Sequence, residues 1–239
     1  MSLSSSRPAT RQTPNSQYLY RTELRNVLRH VTRWLDLGCG HNFLPPWMDE
    51  EPLLASLSHH QIVGVDLDRV ALSKHQQLRL RVVGDVEQLP FGPRSFDLVT
   101  ANMVLEHVHD PEHLFHEVGR VLAPGGSFLI HTPNASGYTT VMTRCVPASW
   151  RPTLARVLQG RNEQDVYHTY YRANTLGTLQ ALARVTSFQV AHLRTVASSA
   201  QLFRVPVIGW TEERLLRRLS SDRFERWRPC ILGRLVKAA

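Results

Sequence analysis

Cysteine is scarce in this chain. Cys39, Cys145 and Cys230 are odd in number and far apart. That argues against a disulfide framework and points to a reducing compartment, the cytoplasm. Long apolar runs are missing as well: none approaches the roughly 20 residues a membrane-crossing helix needs. The opening "MSLSSSRPATRQTPNSQ" has no apolar core of a secretion signal, so residues 1–17 read as a polar, disordered leader. No internal repeat is visible. Acids are outnumbered, 20 against 28 Lys and Arg, for a net charge of +8. The excess sits in the two ends. Residues 1–33 hold six arginines and one glutamate, and residues 212–239 hold eight basic and four acidic residues. The middle, with 14 basic and 15 acidic residues, lacks the cationic cleft expected of a nucleic-acid enzyme.

A chain of 239 residues, 42% of them hydrophobic, can bury one sizeable core, here a single domain over residues 18–239. Short segments rich in Val, Ile, Leu and Phe read as strands: "RWLDLG" (33–38), "QIVGVDL" (61–67), "LRVVGD" (80–85), "SFDLVTAN" (95–102) and "GSFLIHT" (126–132). Stretches of helical length separate them. The clearest runs from Asp110 to Leu122, with Asp110 as cap, Pro111 in the first turn and Leu114, Phe115, Val118, Val121 and Leu122 on one face. Strands alternating with helices imply an α/β, Rossmann-like, doubly wound sheet, mostly parallel and covered on both faces. Residues 133–171 read as irregular. A helix follows at 174–185, capped by Asn174. Segments 188–198 and 200–205 have no helix between them and suggest an antiparallel edge hairpin. A basic amphipathic helix then starts near Thr211.

The stretch "WLDLGCGHNF" (34–43) ends a hydrophobic strand in an acid and two glycines. Glycines let a ligand approach the backbone, and a following helix offers free N–H groups. The dinucleotide fingerprint G-x-G-x-x-G would need a third glycine where Phe43 stands. "DLGCGHN" instead resembles the first motif of class I S-adenosylmethionine-dependent methyltransferases, with Asn42 in place of the usual last glycine. "VGVDLD" resembles the second motif, "GDVEQLPF" the adenine-binding turn. "FDLVTANMVLEHVHDP" and "EVGRVLAPGGSFLIHTPN" resemble the fourth and fifth strands with their helix. The chain is most similar to the small-molecule, ubiquinone-biosynthesis-like group (methyltransferase type 11). The resemblance spans residues 20 to 132. It implies seven strands with an antiparallel edge, a cofactor half at 18–132, a substrate lid at 133–171, and S-adenosylmethionine as cofactor.

The resemblance also implies roles. Asp36, Gly38 and Gly40 shape the methionine end. Asp66 and Leu67 hold the ribose, Asp85 and Val86 the adenine, and Asn102 and Met103 the floor near the sulfonium. Arg21, on a helix before the first strand, would meet the methionine carboxylate. His107, His131 and His168 are candidate bases, and Tyr170 in "HTYYRANT" is a candidate for positioning the acceptor. The histidines of "EHVHDPEHLFHE" do not make a metal site, because Asp110-Pro111 starts a helix between His109 and His113 and leaves His113 and His116 facing solvent. The expected substrate is a small molecule, with a sugar or secondary-metabolite hydroxyl favoured. Nucleic acid is disfavoured, since "NMVLEH" stands where base methylases carry N/D-P-P-Y. Two rival readings are membrane contact through the basic C-terminus, reaching a lipid-linked or quinone-type acceptor, and a non-catalytic binding subunit.

Overall fold

The computed structural model describes residues 15–45, 48, 60–145, 168–198, 214–216, 218–219 and 221–238. Seven strands form one sheet: β1 (Arg33–Leu37), β2 (Gln61–Asp66), β3 (Leu80–Val83), β4 (Phe96–Asn102), β5 (Leu122–Pro133), β6 (Phe188–Val196) and β7 (Cys230–Lys237). Their order is β3-β2-β1-β4-β5-β7-β6. The first five are parallel, while β7 runs antiparallel to both β5 and β6. The strand order reverses between β1 and β4. In open α/β sheets the crevice beyond the strand ends at such a reversal is where ligands bind.

The helices are α1 (Ser16–Leu28), α2 (Arg69–Lys74), α3 (Pro111–Val121), α4 (Tyr138–Cys145) and α5 (Leu176–Val185), with 3-10 turns at Leu105–His107 and Asp222–Trp227. Side chains alternate across the sheet, and so they divide the core in two. Leu35, Val99, Phe128 and Ile130 face α3 and α5, whereas Trp34, Leu98, Leu129 and Leu232 face α1. Helix α3 forms for the reasons its sequence gives. The Asp110 side chain accepts from the His113 N–H, Pro111 opens the first turn, and Leu114, Phe115, Val118 and Val121 are buried. Phe115 packs edge-on against Phe128 of β5 and Phe188 of β6, at centroid distances of 5.4 and 6.1 Å. His113 and His116 are exposed, as expected.

Several expectations change. The leader does not extend through residue 17: Asn15 caps α1, and Ser16 and Gln17 are buried in the fold. β6 is antiparallel to β7; the expected hairpin partner, residues 200–205, lies outside the described residues. The basic end is not one helix. Residues 214–216 and 218–219 are helical, Asp222–Trp227 is a 3-10 helix, and "CILGRLVK" is a strand. Gly233 suits that strand, since a Cβ there would come within 2.5 Å of Leu193 Cδ1. The stretch from 133 is helical from Tyr138, and Tyr138 packs with Leu216 and Leu219. The cap of α5 is Thr175, because Asn174 is fully buried and donates to Thr132 Oγ1 and to the Pro133 carbonyl.

Phe115→Ala removes the ring at the centre of this aromatic cluster. It should lower stability by about 3–5 kcal/mol in urea unfolding. A loss under 1 kcal/mol would mean that α3 is not held by this packing.

Candidate functional site

The turn after β1 carries two left-handed glycines, Gly38 at φ +56° and Gly40 at φ +53°. A Cβ on Gly38 would lie 2.7 Å from Val104 Cγ2, while Gly40 faces open space. The carboxylate at the end of β2 braces this turn. Asp66 Oδ2 accepts from the Gly40 N–H at 2.8 Å, and Oδ1 accepts from the Asp68 N–H at 2.8 Å. Each oxygen has a further lone pair with which to accept a ligand hydroxyl. Leu67, beside it, is 68% exposed. At the end of β3, Asp85 is exposed and its side chain accepts from the Glu87 N–H, while Val86 packs on the core. Asp36, Gly38, Gly40, Asp66, Asp85 and Val86 therefore share the carboxyl edge of β1 to β3.

Behind the turn lies a buried relay. Trp34 Nε1 donates to Thr100 Oγ1 at 2.7 Å, and the Thr100 hydroxyl donates to Asp36 Oδ1 at 2.5 Å. Burial pushes the Asp36 carboxyl up to about 7; the Thr100 hydrogen bond opposes this, and the nearby Asp66 charge adds to it. Next to the relay, α1 grips the end of β4. Gln17 and Asn102 exchange two amide hydrogen bonds at 3.1 and 3.2 Å, and His131 Nδ1 sits 2.8 Å from Asn102 Oδ1. Tyr20, 1% exposed, stacks on His131 at 5.5 Å. Met103 follows at φ +58°, its N–H donating to the His131 carbonyl at 2.7 Å. His131 is fully buried, and desolvation lowers its pKa to about 3. A ring held neutral in this way is a weak proton acceptor.

A third group covers the 3-10 turn Leu105–His107. The Tyr170 and Tyr171 N–H groups donate to the Glu106 carbonyl at 2.7 and 3.2 Å. His107 Nδ1 lies 2.7 Å from the His168 carbonyl. A carbonyl only accepts, so Nδ1 carries the proton and Nε2 is the basic nitrogen of the neutral ring. Glu106 is buried, with Oε1 3.9 Å from His107 Nε2 and Oε2 accepting from Thr132. Tyr170, 40% exposed, meets His168 at 4.5 Å and His109 at 5.2 Å, with the Arg172 guanidinium 5.4 Å over its ring. A cavity of about 350 Å³, lined by His109, Asp110, Arg172 and Leu182 among others, opens beside this rim. Among the described residues, no group of three or more His, Cys, Asp or Glu is arranged to hold a metal ion.

Residues 35–130 match a family model described as a methyltransferase domain. Over these residues the chain is similar to S-adenosylmethionine-dependent methyltransferases. A Mycolicibacterium smegmatis protein described as an S-adenosylmethionine-dependent methyltransferase is 33% identical over 104 residues, 42% of this chain and 37% of that one. The malonyl-[acyl-carrier protein] O-methyltransferase of Erwinia billingiae is 31% identical over 127 residues, 52% of this chain and 46% of that one. The chain thus spans less than half the length of these two curated relatives. An S-adenosylmethionine-dependent methyltransferase from Mesorhizobium loti shares the fold, with a TM-score of 0.59 at 19% identity over 92% of this chain and 96% of that one.

The fold brings His107, His168 and Tyr170 together, and it keeps His131 apart in the core. Arg21 lies on α1, one turn beyond Gln17, with its guanidinium 5.1 Å over the Tyr18 ring. Gln17 escaped the sequence reading as a site residue, because it fell in the supposed leader and its partner Asn102 is 85 positions away.

S-adenosylmethionine suits this edge on two counts. Gly40 leaves open the space a Cβ would fill, and Asp66 keeps acceptor capacity on both oxygens. Asp36 makes stability depend on pH. Its folded pKa lies above the ordinary value near 3.9, so protonated Asp36 favours the folded chain. The contribution is complete below about pH 4 and is lost as pH rises through about 7. Without ligand, wild type should lose stability relative to Asp36→Asn over this window in urea titrations at fixed ionic strength. A pH-independent difference would mean that Asp36 titrates normally.

Proposed function

We propose that the protein transfers the methyl group of S-adenosylmethionine to a hydroxyl of a small cytoplasmic molecule, a sugar or a secondary metabolite. One observation carries the reading: the glycine turn braced by Asp66 and the oriented imidazole of His107 lie at the carboxyl ends of neighbouring strands, β1, β2 and β4. When bound, S-adenosylmethionine supplies an activated methyl whose leaving thioether is neutral, so no general acid is needed. Asp66 accepts from both ribose hydroxyls, with Leu67 against the sugar. Asp85 and Val86 hold the adenine edge. Asp36 faces the methionine ammonium, and Arg21 its carboxylate. Asn102 and Met103 form the floor, braced by Gln17.

The remaining task is to align acceptor and methyl and to exclude water. A hydroxyl acceptor also needs a base as it attacks. In this reading His107 takes the proton at Nε2, with the Glu106 carboxylate 3.9 Å away. His168 and Tyr170 position the acceptor, and His131 fixes Asn102. The Erwinia relative is named an O-methyltransferase, which supports an oxygen acceptor. Acceptors at a membrane are less favoured, because β7 buries Ile231, Leu232 and Leu235 of the basic end in the sheet.

Methyl-labelled S-adenosylmethionine, incubated with the protein and an extract of its source organism, should leave label among aqueous metabolites. Label confined to lipid or nucleic acid would sink the small-molecule reading. His107→Gln should lower kcat by about 10²-fold or more, with little change in cofactor affinity; an unchanged kcat would acquit His107. Asp66→Ala should weaken S-adenosylhomocysteine binding by about 1.5–3 kcal/mol per lost charge-assisted hydrogen bond in calorimetry. Unchanged affinity would show the ribose to lie elsewhere.

A further inference from the structure

The end of α1 and strand β7, one from each basic end of the sequence, meet at the end of the sheet opposite the glycine turn. A cavity of about 290 Å³ opens there, lined by Val27, His30 and Val31 from the end of α1, by Asp97, by the turn Ala123–Ser127 and by Arg234. Arg234 lies in the middle of β7, facing Leu129 of β5 and His192 of β6 in register. It is half-buried, and its Nε is shielded from solvent without a hydrogen-bond partner. Among the described residues its guanidinium has no ion-pair partner either.

An arginine stays charged, and a buried donor left unpaired destabilises the fold. Both nearby acids are engaged. Asp97 accepts from Arg33 Nη2 at 2.6 Å and from Arg33 Nε and the Thr32 and Arg33 N–H groups. Glu23 on α1 is shared between His192 at 3.9 Å and Arg194 at 3.8 Å. Lys237 donates to the Leu122 carbonyl at the same end of the sheet, close enough to Arg94 for the two charges to repel. The edge therefore has an excess of positive charge, and Arg234, which lines its cavity, keeps a buried donor without an acceptor.

We propose that this cavity binds a small oxyanion, a phosphoryl or carboxylate group of a metabolite, through the Arg234 guanidinium, with the Ser127 hydroxyl and His30 at its sides. Guanidinium geometry matches both groups by paired hydrogen bonds. The site lies at the opposite ends of the strands from the proposed cofactor cradle and does not depend on that assignment.

The test is thermal unfolding in sodium phosphate and, separately, sodium acetate, each against sodium chloride at equal ionic strength. Wild type should be stabilised by at least one oxyanion, since a ligand that binds the folded chain raises Tm. A rise with phosphate only assigns a phosphoryl group, and a rise with acetate assigns a carboxylate. Arg234→Gln should weaken the responding anion by roughly tenfold or more, while Arg234→Lys should retain part of the response. Arg184→Gln, an exposed change on α5, should leave it intact. Circular dichroism and the midpoint in chloride confirm that each variant folds. If Arg234→Gln does not fold, phosphorus line broadening of phosphate with wild type and with Arg234→Lys reads binding directly. Equal anion responses in wild type and Arg234→Gln, or no oxyanion response in wild type, would overturn the site. Arg234 would then serve only as a structural cation near the carboxyl end of α1.

Discussion

The carboxylate of Asp66 is the constraint on which the cradle depends. It ties the turn after β1, through Gly40, to the turn after β2, through Asp68, so one side chain sets the distance between two strand ends. The Asp66 carbonyl accepts from the Gly84 N–H, which extends the tie to β3. A glycine turn at positive φ has little rigidity of its own. Held by an acid already bonded to the backbone, it becomes a fixed surface, and a ligand hydroxyl meets acceptors that need not reorganise. Preorganisation of this kind lowers the cost of binding.

The second constraint is polar and deeper. Trp34, Thr100 and Asp36 form one hydrogen-bonded chain, while Gln17, Asn102 and His131 form another. Both lie on the face of the sheet that packs against α1. Buried polar groups that satisfy one another specify position more sharply than apolar packing does, because a shifted partner leaves a desolvated atom behind. Helix α1 therefore fixes the end of β4 as well as packing the core.

Local features were legible in the sequence. Gly38, Gly40, Asp36 and Asp66 stand out because a strand that ends in glycines and acids has few other uses, and Asp110-Pro111 marks a helix start on any reading. Contacts between distant segments were not legible. Gln17 meets Asn102 across 85 positions. β7 inserts between β6, the strand before it, and β5, which is not its neighbour in sequence. The pattern of "LIHT" gives no sign that His131 is fully enclosed, because a strand alternates in the same way whether its polar residue faces water or a stacked tyrosine. Asn174 and Thr175 can each cap α5. The choice falls to Thr175 because tertiary packing takes Asn174 into the core.

The position of β7 bears on how the chain is made. On emergence from the ribosome β6 lacks its one partner among the described strands, and one edge of β5 is open, until residues 230–237 arrive. Two apolar strand edges, one carrying Phe128 and Ile130 and the other Phe188 and Val196, must wait for the same late segment. Unpaired edges are templates for association with other chains. The nascent protein is therefore most vulnerable just before β7 appears, and fusions or truncations near residue 237 act on the step that closes the sheet.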